Sequence, residues 1–504
     1  MMLRLSSIEV CHKDLNTPGR QEQDMSKTTQ GITVKKSENI SEWYVQVLQK
    51  AELIEYTDVS GCIIYRPRLY AMWEEIKKWF DEEIKKLGVE NAYFPLFIPK
   101  RLLEKEAEHV QGFAPEVAWV MRGGRSELKE EIAVRPTSET VIYDAYAKWI
   151  QSHRDLPIKI NQWVNVVRWE FKHPTPLIRG REFLWQEGHT AFATKKEAEE
   201  EVQIILELYR RVFEELLAVP VIKGIKAPSE KFAGADYSTS VETLTPSGKA
   251  VQAATSHHLG QNFAKAFEIE YQDESGKKAN PYQNSWGIST RSLGAMILYH
   301  SDDKGLVVPP RVAPLHAVVI PITFDKNKNK VLREAKKITK TLEEEGVKVL
   351  LDDRDHYTPG WKFNEWELKG ACIRIELGPK DLEKEQAIAV RRDTGKKTPV
   401  KLNELSKKIP KMLDKMQKDL LSSAKEWLDS QSVEAKSWTE FQKAAKEKKL
   451  IWAQFCTKDA CASSIHEESG AKSLNLPYSA KKPKGNCIKC KNKSKAVGIF
   501  AKSY

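Results

Sequence analysis

Two long segments of the chain place apolar residues at the three- and four-residue spacing of amphipathic helices. The first covers 69–87 and ends at Gly88, a residue that commonly terminates helices, and the second covers 198–216 and ends before Pro220. Runs of strand length lie between these helices, at 92–98, 159–167 and 182–192. This order of elements predicts a largely antiparallel sheet with helices packed against it.

The pattern changes at a proline-rich segment near 308–311. Beyond it, apolar runs of strand length alternate with a helical pattern over 331–342. The predicted strands are 317–322, 347–351, 373–377 and 387–390. Such alternation is typical of a small parallel or mixed α/β domain. The remaining residues begin with a helical pattern and continue into a segment interrupted by Pro477, Pro483 and Gly485.

The length and composition are those of a globular protein with about three domains, since 41% of the 504 residues are hydrophobic and 30% are charged. We predict a disordered N-terminal extension, two folded domains and a lysine-rich C-terminal domain, at 1–36, 37–310, 311–410 and 411–504. No apolar run of about 18 residues occurs, and the N-terminal segment lacks the apolar core of a signal peptide. We therefore expect a cytoplasmic protein with no membrane partner.

The formal net charge is +11 at pH 7, and the excess lies in the C-terminal part of the chain. Residues 401–504 contain 22 Lys, no Arg and 11 Asp plus Glu, which accounts for the whole excess. Lysine is a hydrated point charge suited to sequence-independent attraction to phosphates, so nucleic acid is a candidate partner. A solvated lysine-rich surface that only keeps the protein soluble explains the same composition.

Four of the seven cysteines are grouped near the C-terminus, whereas the other three are scattered singly. The grouped residues form two pairs, Cys456 with Cys461 and Cys487 with Cys490, and 25 residues separate the pairs. Two thiolate pairs at such spacing favour a tetrahedral Zn²⁺ site over a disulfide framework. Four protein ligands leave no open position for a substrate, so the zinc would be structural.

No phosphate-binding GxxxxGK[ST] loop occurs, so any nucleotide must be held in another way. Three segments resemble the motifs of class II aminoacyl-tRNA synthetases. The helix at 69–87 followed by YFP at 93–95 resembles motif 1, and GISTR at 287–291 resembles motif 3. VRWE at 167–170 together with RGREF at 179–183 resembles motif 2. The three occur in the order of that class, and motif 1 implies a homodimer.

Two further segments narrow the resemblance to the prolyl-tRNA synthetases. RPTSET at 135–140 looks like the TxE loop of that family, and QAATSHHLGQ at 252–261 resembles the segment that closes its amino-acid pocket. The resemblance runs from about residue 40 to Tyr504 and includes the cysteine-bearing tail of the eukaryotic and archaeal form. The bacterial form carries a large editing domain between motifs 2 and 3, for which 184–286 leave no room.

This resemblance implies an α/β (α+β) chain with a class II catalytic domain built on an antiparallel sheet, an α/β anticodon-binding domain and a small zinc-containing C-terminal domain. The implied activity is that of a proline–tRNA ligase without a cis editing domain. Such an enzyme uses ATP with Mg²⁺ to convert L-proline into prolyl-adenylate, and it transfers the prolyl group to the 3′ end of tRNA(Pro).

Proline is a secondary ammonium with a carboxylate on an apolar ring, so its pocket needs an anion, a cation and flat apolar walls. The residues that the resemblance assigns to proline are Thr137, Glu139, Arg168, Phe113, Trp185 and His257. For Trp185 and His257, ordinary packing inside the fold is the alternative interpretation. The last residues, 498–504, end on an aromatic residue that the family folds back toward the active site, and a frayed end is the alternative there.

The residues that the resemblance assigns to ATP are Arg168, Glu170, Arg179, Phe183, Gln252, Thr255 and Arg291. Adenine would lie between the Phe183 ring and the Arg291 guanidinium, a stack that a flat cation supports. Attack of a carboxylate on the α-phosphorus needs no difficult proton transfer. Arg168 and Arg291 would therefore act catalytically through positioning and charge stabilisation, together with Mg²⁺.

LGPKD at 377–381 and RRDTG at 391–395 resemble the anticodon-binding domain of several class II enzymes. The proline anticodons carry two adjacent guanines, whose edges suit basic and acidic side chains. Candidate readers are Glu376, Lys380 and Arg391. Charged residues at strand ends are often merely solvated, which is the alternative interpretation.

Three other hypotheses explain parts of the sequence. A synthetase-like RNA-binding protein without catalysis would have no need for the intact motif residues, and a zinc-stabilised scaffold gives no reason for three nucleotide motifs. A threonyl- or glycyl-type relative would share the anticodon-binding domain. Pyrophosphate exchange tested across the twenty amino acids distinguishes all of these from a prolyl enzyme.

Overall fold

A computed structural model describes residues 31–109, 116–170 and 173–504, except for the side chains of 105–109. The candidate residue Phe113 and residues 1–30 of the predicted extension lie outside the described residues. Of that extension, 31–36 are described, and they contact the folded part of the chain. Thr33 bonds to Gln46, and Lys36 Nζ donates to the Ser301 carbonyl over 2.9 Å.

The described residues form thirteen α-helices, with a π-helical turn at Val212–Leu216 after the fifth. In chain order they are α1 Ile40–Lys50, α2 Pro67–Lys85, α3 Lys100–His109, α4 Glu139–Trp149, α5 Lys195–Arg211, α6 Asn262–Ala266, α7 Arg291–His300, α8 Lys328–Glu344, α9 Pro359–Leu368, α10 Pro379–Glu383, α11 Leu405–Gln431, α12 Trp438–Lys446 and α13 Asp459–Ser469. None of these helices is both long and apolar enough to cross a membrane.

Twenty-three strands occur in the described ranges. They are β1 Ile54–Tyr56, β2 Ile63–Tyr65, β3 Glu90–Asn91, β4 Phe97–Pro99, β5 Trp119–Gly123, β6 Ser126–Val134, β7 Ile158–Val167, β8 Glu182–Phe192, β9 Ile222–Ile225, β10 Tyr237–Leu244, β11 Ala250–Gly260, β12 Tyr271–Gln272, β13 Lys278–Ala279, β14 Tyr282–Ser289, β15 Ala317–Pro321, β16 Val349–Leu351, β17 Ile373–Leu377, β18 Gln386–Arg391, β19 Lys397–Lys401, β20 Ser432–Glu434, β21 Leu450–Phe455, β22 Lys472–Pro477 and β23 Ala496–Ala501.

The centre of the molecule is an eleven-stranded sheet in the order β20-β21-β23-β22-β9-β10-β11-β14-β8-β7-β3. All of its neighbours are antiparallel except the short outer pairs β20–β21 and β3–β7. The predicted antiparallel sheet is therefore confirmed. The C-terminal strands extend the same sheet, because β22 pairs with β9.

The two predicted long helices are α2 and α5, and their apolar stripes pack against one face of this sheet. Pro67 occupies the first turn of α2, and Thr194 caps α5 with Glu197 in a reciprocal capping box. Phe80 of α2 stacks on Tyr209 of α5, with ring centroids 5.2 Å apart. Burial of these stripes, rather than helix propensity alone, stabilises both helices.

The strand predicted over 92–98 is wrong, because only β3 before it and β4 at its end are paired. The Ala92 amide still bonds to the Asn161 carbonyl of β7 over 2.8 Å, but the backbone of Phe94 bonds to side chains. The Phe94 amide donates to Gln162 Oε1 over 3.1 Å, and the Phe94 carbonyl accepts from Arg135 Nη1 over 2.8 Å. Pro95 cannot donate to a ladder at all.

A smaller five-stranded sheet follows, in the order β16-β15-β17-β18-β19. β15 pairs in parallel with β16 and β17, whereas β17–β18 and β18–β19 are antiparallel, which confirms the predicted mixed α/β pattern. Helix α11 then leads from this sheet to the cysteine-bearing segment. The domain boundary predicted after Pro410 falls within α11.

Candidate active site

A cavity of about 270 Å³, here called the site cavity, lies against the central sheet and is lined by residues from several of its strands. Nine of the predicted residues line it: Thr137, Glu139, Arg168, Phe183, Trp185, Gln252, Thr255, His257 and Arg291. The fold thus brings together segments that are widely separated in the chain. Side chains of β8 alternate between the two faces of the sheet. Gln186 faces α5, where its Oε1 accepts from the Tyr209 hydroxyl over 2.9 Å, and its neighbours Trp185 and Glu187 face the cavity.

The Thr137–Glu139 loop connects β6 to α4, and it is buried. Thr137, Ser138 and Glu139 are 5%, 2% and 4% exposed. Thr137 Oγ1 donates a short hydrogen bond to Glu139 Oε2. Arg135 fixes the start of the loop, because its Nε donates to the Asn165 carbonyl over 2.9 Å. Glu139 is the first residue of α4, where the helix dipole favours a negative charge.

Arg168 follows β7 and lies beside this loop. Its Nε donates to the Pro136 carbonyl over 3.0 Å. Its guanidinium lies 5.6 Å from the Phe183 ring centroid and 5.4 Å from that of Trp185. The two rings meet edge to face at 6.1 Å, so the cavity has two apolar walls beside a cation.

Arg291 begins α7 on another side of the cavity. Its Nε donates to the Ile178 carbonyl over 2.9 Å, and Nη1 donates to the Gln252 carbonyl over 3.4 Å. Burial and the neighbouring charges of Arg168 and Arg179 lower the pKa of Arg291 to about 10. The side chain stays protonated at neutral pH, and three clustered guanidinium groups favour binding of an anion here.

Strand β11 supplies Gln252, Thr255 and His257. A bulge at Ala253 shifts the register against β10, so Gln252 faces the same cavity as Thr255 despite the odd spacing. His257 Nδ1 bonds to Ser238 Oγ at 2.7 Å. Burial and the charge of Lys226 lower the pKa of His257 to about 3, so this ring is neutral at pH 7.

Glu170 and Arg179 line an adjoining cavity of about 260 Å³ that shares Arg168, Gln252 and Arg291 with the site cavity. Ser503 and Tyr504 line this second cavity too. Tyr504 is held by its hydroxyl, which donates to Ser247 Oγ over 2.7 Å. Within the structure, the C-terminal end is therefore anchored next to the candidate site.

Several residues of the site cavity were missed by the sequence analysis. They are Glu187, His189, Lys226, Glu230, Phe232, Ser285 and Trp286. A period-two pattern could have identified two of them, because Glu187 and His189 continue the cavity-facing series that includes Phe183 and Trp185. No sequence signal distinguishes the others from ordinary strand or loop residues.

The four grouped cysteines come together as predicted, and their ligand-type atoms lie within 4.8 Å of one another. The Sγ atoms of Cys461 and Cys487 are 3.5 Å apart, as are those of Cys490 and Cys456. Four sulfurs bound tetrahedrally at Zn–S distances of about 2.3 Å would be about 3.8 Å apart. The cysteine cluster therefore fits a structural zinc ion.

The three candidate anticodon readers lie in the smaller sheet or next to it. Lys380 is exposed at the start of α10. Glu376 and Arg391 are buried in ion pairs, since Arg374 bonds to Glu376 at 2.9 Å and Asp393 bonds to Arg391 at 2.6 Å. To contact a base, Glu376 or Arg391 would have to replace its ion pair with a bond to that base.

Three family models match the chain. One described as tRNA synthetase class II core domain (G, H, P, S and T) matches residues 119–300. One described as anticodon binding domain matches 316–412, and one described as prolyl-tRNA synthetase, C-terminal, matches 438–504. Along the chain, these three ranges contain in turn most strands of the central sheet, the smaller sheet and the cysteine cluster.

Individual proteins resemble the chain over nearly its whole length. A cytoplasmic proline–tRNA ligase of Arabidopsis thaliana is 50% identical over 97% of this chain and 94% of that protein. A bifunctional glutamate/proline–tRNA ligase of Drosophila melanogaster is 50% identical over 95% of this chain, which spans 29% of that longer protein. A crystal structure of prolyl-tRNA synthetase from Cryptosporidium parvum, complexed with halofuginone and AMPPNP, superposes with a TM-score of 0.91 at 48% identity, covering 95% of this chain and 100% of that one.

Proposed function

The chain belongs to the class II family of proline–tRNA ligases, and from that premise we propose roles for its residues in activating L-proline with ATP and transferring the prolyl group to the 3′ end of tRNA(Pro). One observation carries these roles. The buried Thr137–Glu139 loop lies beside a cavity that also presents Arg168, Phe183 and Arg291. An anion for an ammonium and cations for a carboxylate and phosphates are therefore available within one site.

For proline, Glu139 and the Thr137 hydroxyl accept hydrogen bonds from the two N–H groups of the secondary ammonium. Arg168 binds the carboxylate, because its Nε bond to Pro136 holds the guanidinium beside the loop. Trp185 and neutral His257 flank the ring, and Phe113 remains a predicted wall outside the described residues. A neutral His257 suits an apolar ring better than an imidazolium does.

For ATP, Phe183 and Arg291 stack on the adenine, and Glu170 accepts from its amino group. Arg179 binds the outer phosphates, and Gln252 and Thr255 contact ribose or phosphate. Mg²⁺ enters with ATP as part of the substrate. The proline carboxylate attacks the α-phosphorus in line, the bond from the α-phosphorus to the bridging oxygen breaks, and pyrophosphate leaves with the electron pair. Arg168 and Arg291 stabilise the developing charge. No side chain needs to act as a general base.

The division into 37–310, 311–410 and 411–504 assigns activation, anticodon binding and zinc-stabilised support to separate parts of the chain. Anticodon contacts from Glu376, Lys380 and Arg391 stay predictions, and Lys380 is the most accessible of the three. The lysine-rich tail would attract the tRNA backbone through counterion release. The zinc ion would be held by the cysteine cluster and would act structurally, with no part in the reaction.

A homodimer, a cytoplasmic location and the lack of a cis editing domain complete the proposal. The motif 1 region supports the dimer, because its Tyr70 and Tyr93 are 44% and 71% exposed. Exposed aromatic side chains of this size often mark a protein interface. Sedimentation at micromolar concentration tests the dimer, and a monomer there would contradict it.

Pyrophosphate exchange measured with each of the twenty amino acids tests the function. Proline should support exchange most efficiently, and alanine should be weaker by about 10- to 200-fold for each of the two ring carbons that it lacks. Exchange driven by threonine or glycine, or none at all, would refute the proposal. Aminoacylation of a tRNA(Pro) transcript then tests the second step.

A further inference from the structure

Two buried ionisable side chains, Glu187 and His189, lie behind the Thr137–Glu139 loop and have no role in the proposed reaction. Glu187 and His189 occupy alternate positions of β8 and are 3% and 1% exposed. Ligand-type atoms of Glu139, Glu187 and His189 all lie within 4.8 Å of one another. The three residues also line the site cavity.

A chain of hydrogen bonds ties this group to the loop. Ser138 Oγ donates to Glu187 Oε1 over 2.5 Å, and Gln162 Nε2 donates to the same oxygen over 2.6 Å. Gln162 Nε2 is also 2.7 Å from Ser138 Oγ. Because Ser138 lies between Thr137 and Glu139, the carboxylate of Glu187 determines where both of these residues are held.

His189 completes the chain on the other side of Glu187. Its Nε2 lies 3.0 Å from Glu187 Oε2, and its Nδ1 lies 3.2 Å from the Tyr143 hydroxyl. The Tyr146 hydroxyl donates to the backbone carbonyl of His189 over 2.8 Å. Of these two tyrosines of α4, the helix that begins at Glu139, Tyr143 therefore contacts the imidazole and Tyr146 holds the backbone of His189.

A protonated His189 offsets one of the two carboxylate charges of this group. Two buried carboxylates repel each other unless a cation lies nearby. Burial opposes ionisation of Glu187, but the hydrogen bond and charge of His189 lower its pKa below the ordinary value. Burial likewise opposes protonation of His189, yet the bond to Glu187 and the charge of Glu139 raise its pKa. The group then keeps one net negative charge, which a substrate ammonium would neutralise.

By residue type, the same group could hold a metal ion, but its contacts favour an ion pair. Glu187 Oε1 already accepts from Ser138 and Gln162, and Oε2 faces His189. Thr137 donates to Glu139 Oε2. Protein side chains thus contact both oxygens of Glu187 and one oxygen of Glu139, which is an arrangement expected around hydrogen-bonded ionised carboxylates.

We propose that Glu187 and His189 form a buried ion pair that, through Ser138, positions Thr137 and Glu139 for the ammonium group of the amino acid. They are positioning residues for selection of proline, and they do not contact ATP. The inference rests on the proposed function, because the ammonium site is taken to be that of proline.

The pair also gives amino-acid binding a pH dependence. Groups facing His189 are Glu187 on its own strand, Glu139, Tyr143 and Tyr146 on α4, and His257 on β11. His257 is already neutral near pH 7, so its titration does not contribute. As the pH rises through the raised pKa of His189, the imidazolium loses its proton and the KM for proline should rise. Below that pKa, titration of His189 should not change the KM for proline.

The test compares His189→Gln, Glu187→Gln and Ser138→Ala with the wild type in pyrophosphate exchange. His189→Gln keeps a donor toward Glu187 but removes the charge, so the KM for proline should rise about 10-fold or more while the KM for ATP stays within about twofold. Ser138→Ala removes only the link to the loop and should raise the KM for proline about 3- to 10-fold. The rise at alkaline pH should be absent from His189→Gln.

His258→Gln is the matched control, because His258 is a fully buried imidazole that bonds to Asn284 and does not line the cavity. It should leave both KM values unchanged. Thermal melts show whether each variant is folded. If His189→Gln and Glu187→Gln are not folded, the KM for proline of Ser138→Ala tests the inference.

Three results would overturn the inference. The first is an unchanged proline KM in folded His189→Gln and Glu187→Gln. The second is a wild-type KM in Ser138→Ala together with a raised KM in His189→Gln, because His189 would then act by direct contact. The third is a metal equivalent beyond that of the cysteine cluster that is lost in His189→Gln. Absence of proline-dependent exchange in the wild type would instead refute the proposed function.

Discussion

Replacement of Glu139 by glutamine is the most direct test of the amino-acid site, because the substitution keeps the size of the side chain and removes its charge. Glu139 is 4% exposed and accepts from Thr137 Oγ1. A hydrogen bond between charged partners in such a site contributes about 1.5 to 3 kcal/mol. Its loss should lower kcat/KM for proline roughly 10- to 100-fold.

A smaller effect on stability is expected as well. Glu139 begins α4, where interaction of its charge with the helix dipole is worth about 0.3 to 1 kcal/mol. This contribution should appear in the free energy of unfolding and not in the KM for ATP. Urea unfolding therefore separates the structural effect of the substitution from its effect on substrate binding.

The assay is pyrophosphate exchange with proline varied at saturating ATP, and then with ATP varied at saturating proline. Glu201→Gln is the matched control: Glu201 is a buried glutamate of α5 that bonds to Thr190 and Asn284 outside the site cavity. Because Glu201 does not line the site cavity, its substitution should change substrate kinetics little. If Glu139→Gln loses affinity for ATP and keeps its apparent affinity for proline, the loop belongs to the nucleotide site and the reasoning fails.

Three further predictions concern other parts of the molecule. Arg168→Ala should abolish adenylate formation without unfolding the protein, because it removes a cation from both reacting groups; near wild-type exchange would contradict the assigned role. Gly188→Ala should destabilise the fold by about 1 to 3 kcal/mol in urea unfolding, since a Cβ there would lie 2.2 Å from the Trp286 ring; a change below about 0.5 kcal/mol would refute this. Cys461→Ser should lose bound zinc by elemental analysis and lower the melting temperature, whereas a metal-free wild type would rule the zinc site out.

Much of the fold could be predicted from local patterns. The apolar stripes that became α2 and α5, and the stop at Gly88 with its φ of +77°, follow from side-chain spacing and backbone conformation within a few turns. The alternation after 311 likewise predicted the mixed sheet. The prediction of a continuous strand over 92–98 was wrong because the backbone of Phe94 bonds to the side chains of Gln162 and Arg135, which apolar spacing does not reveal.

The candidate site was predicted in part. Thr137, Glu139, Arg168 and Arg291 were identified from motif-like segments, and the structure places them around one cavity. Glu187 was missed because a charged residue within a strand is indistinguishable in sequence from one that faces solvent. The same applies to His189 and to the other unpredicted residues of the cavity.

Most helices and strands, the family resemblance and the spacing of the four grouped cysteines were visible in the sequence, because each depends on residue types at short spacing. Which charged side chains contact each other became visible in the folded chain. The ion pair of Glu187 and His189, the union of the C-terminal strands with the central sheet and the bulge that turns Gln252 into the cavity all depend on contacts between segments far apart in the chain. Such contacts depend on packing and on the cost of burying an unpaired charge, and the local spacing of residues predicts neither of these.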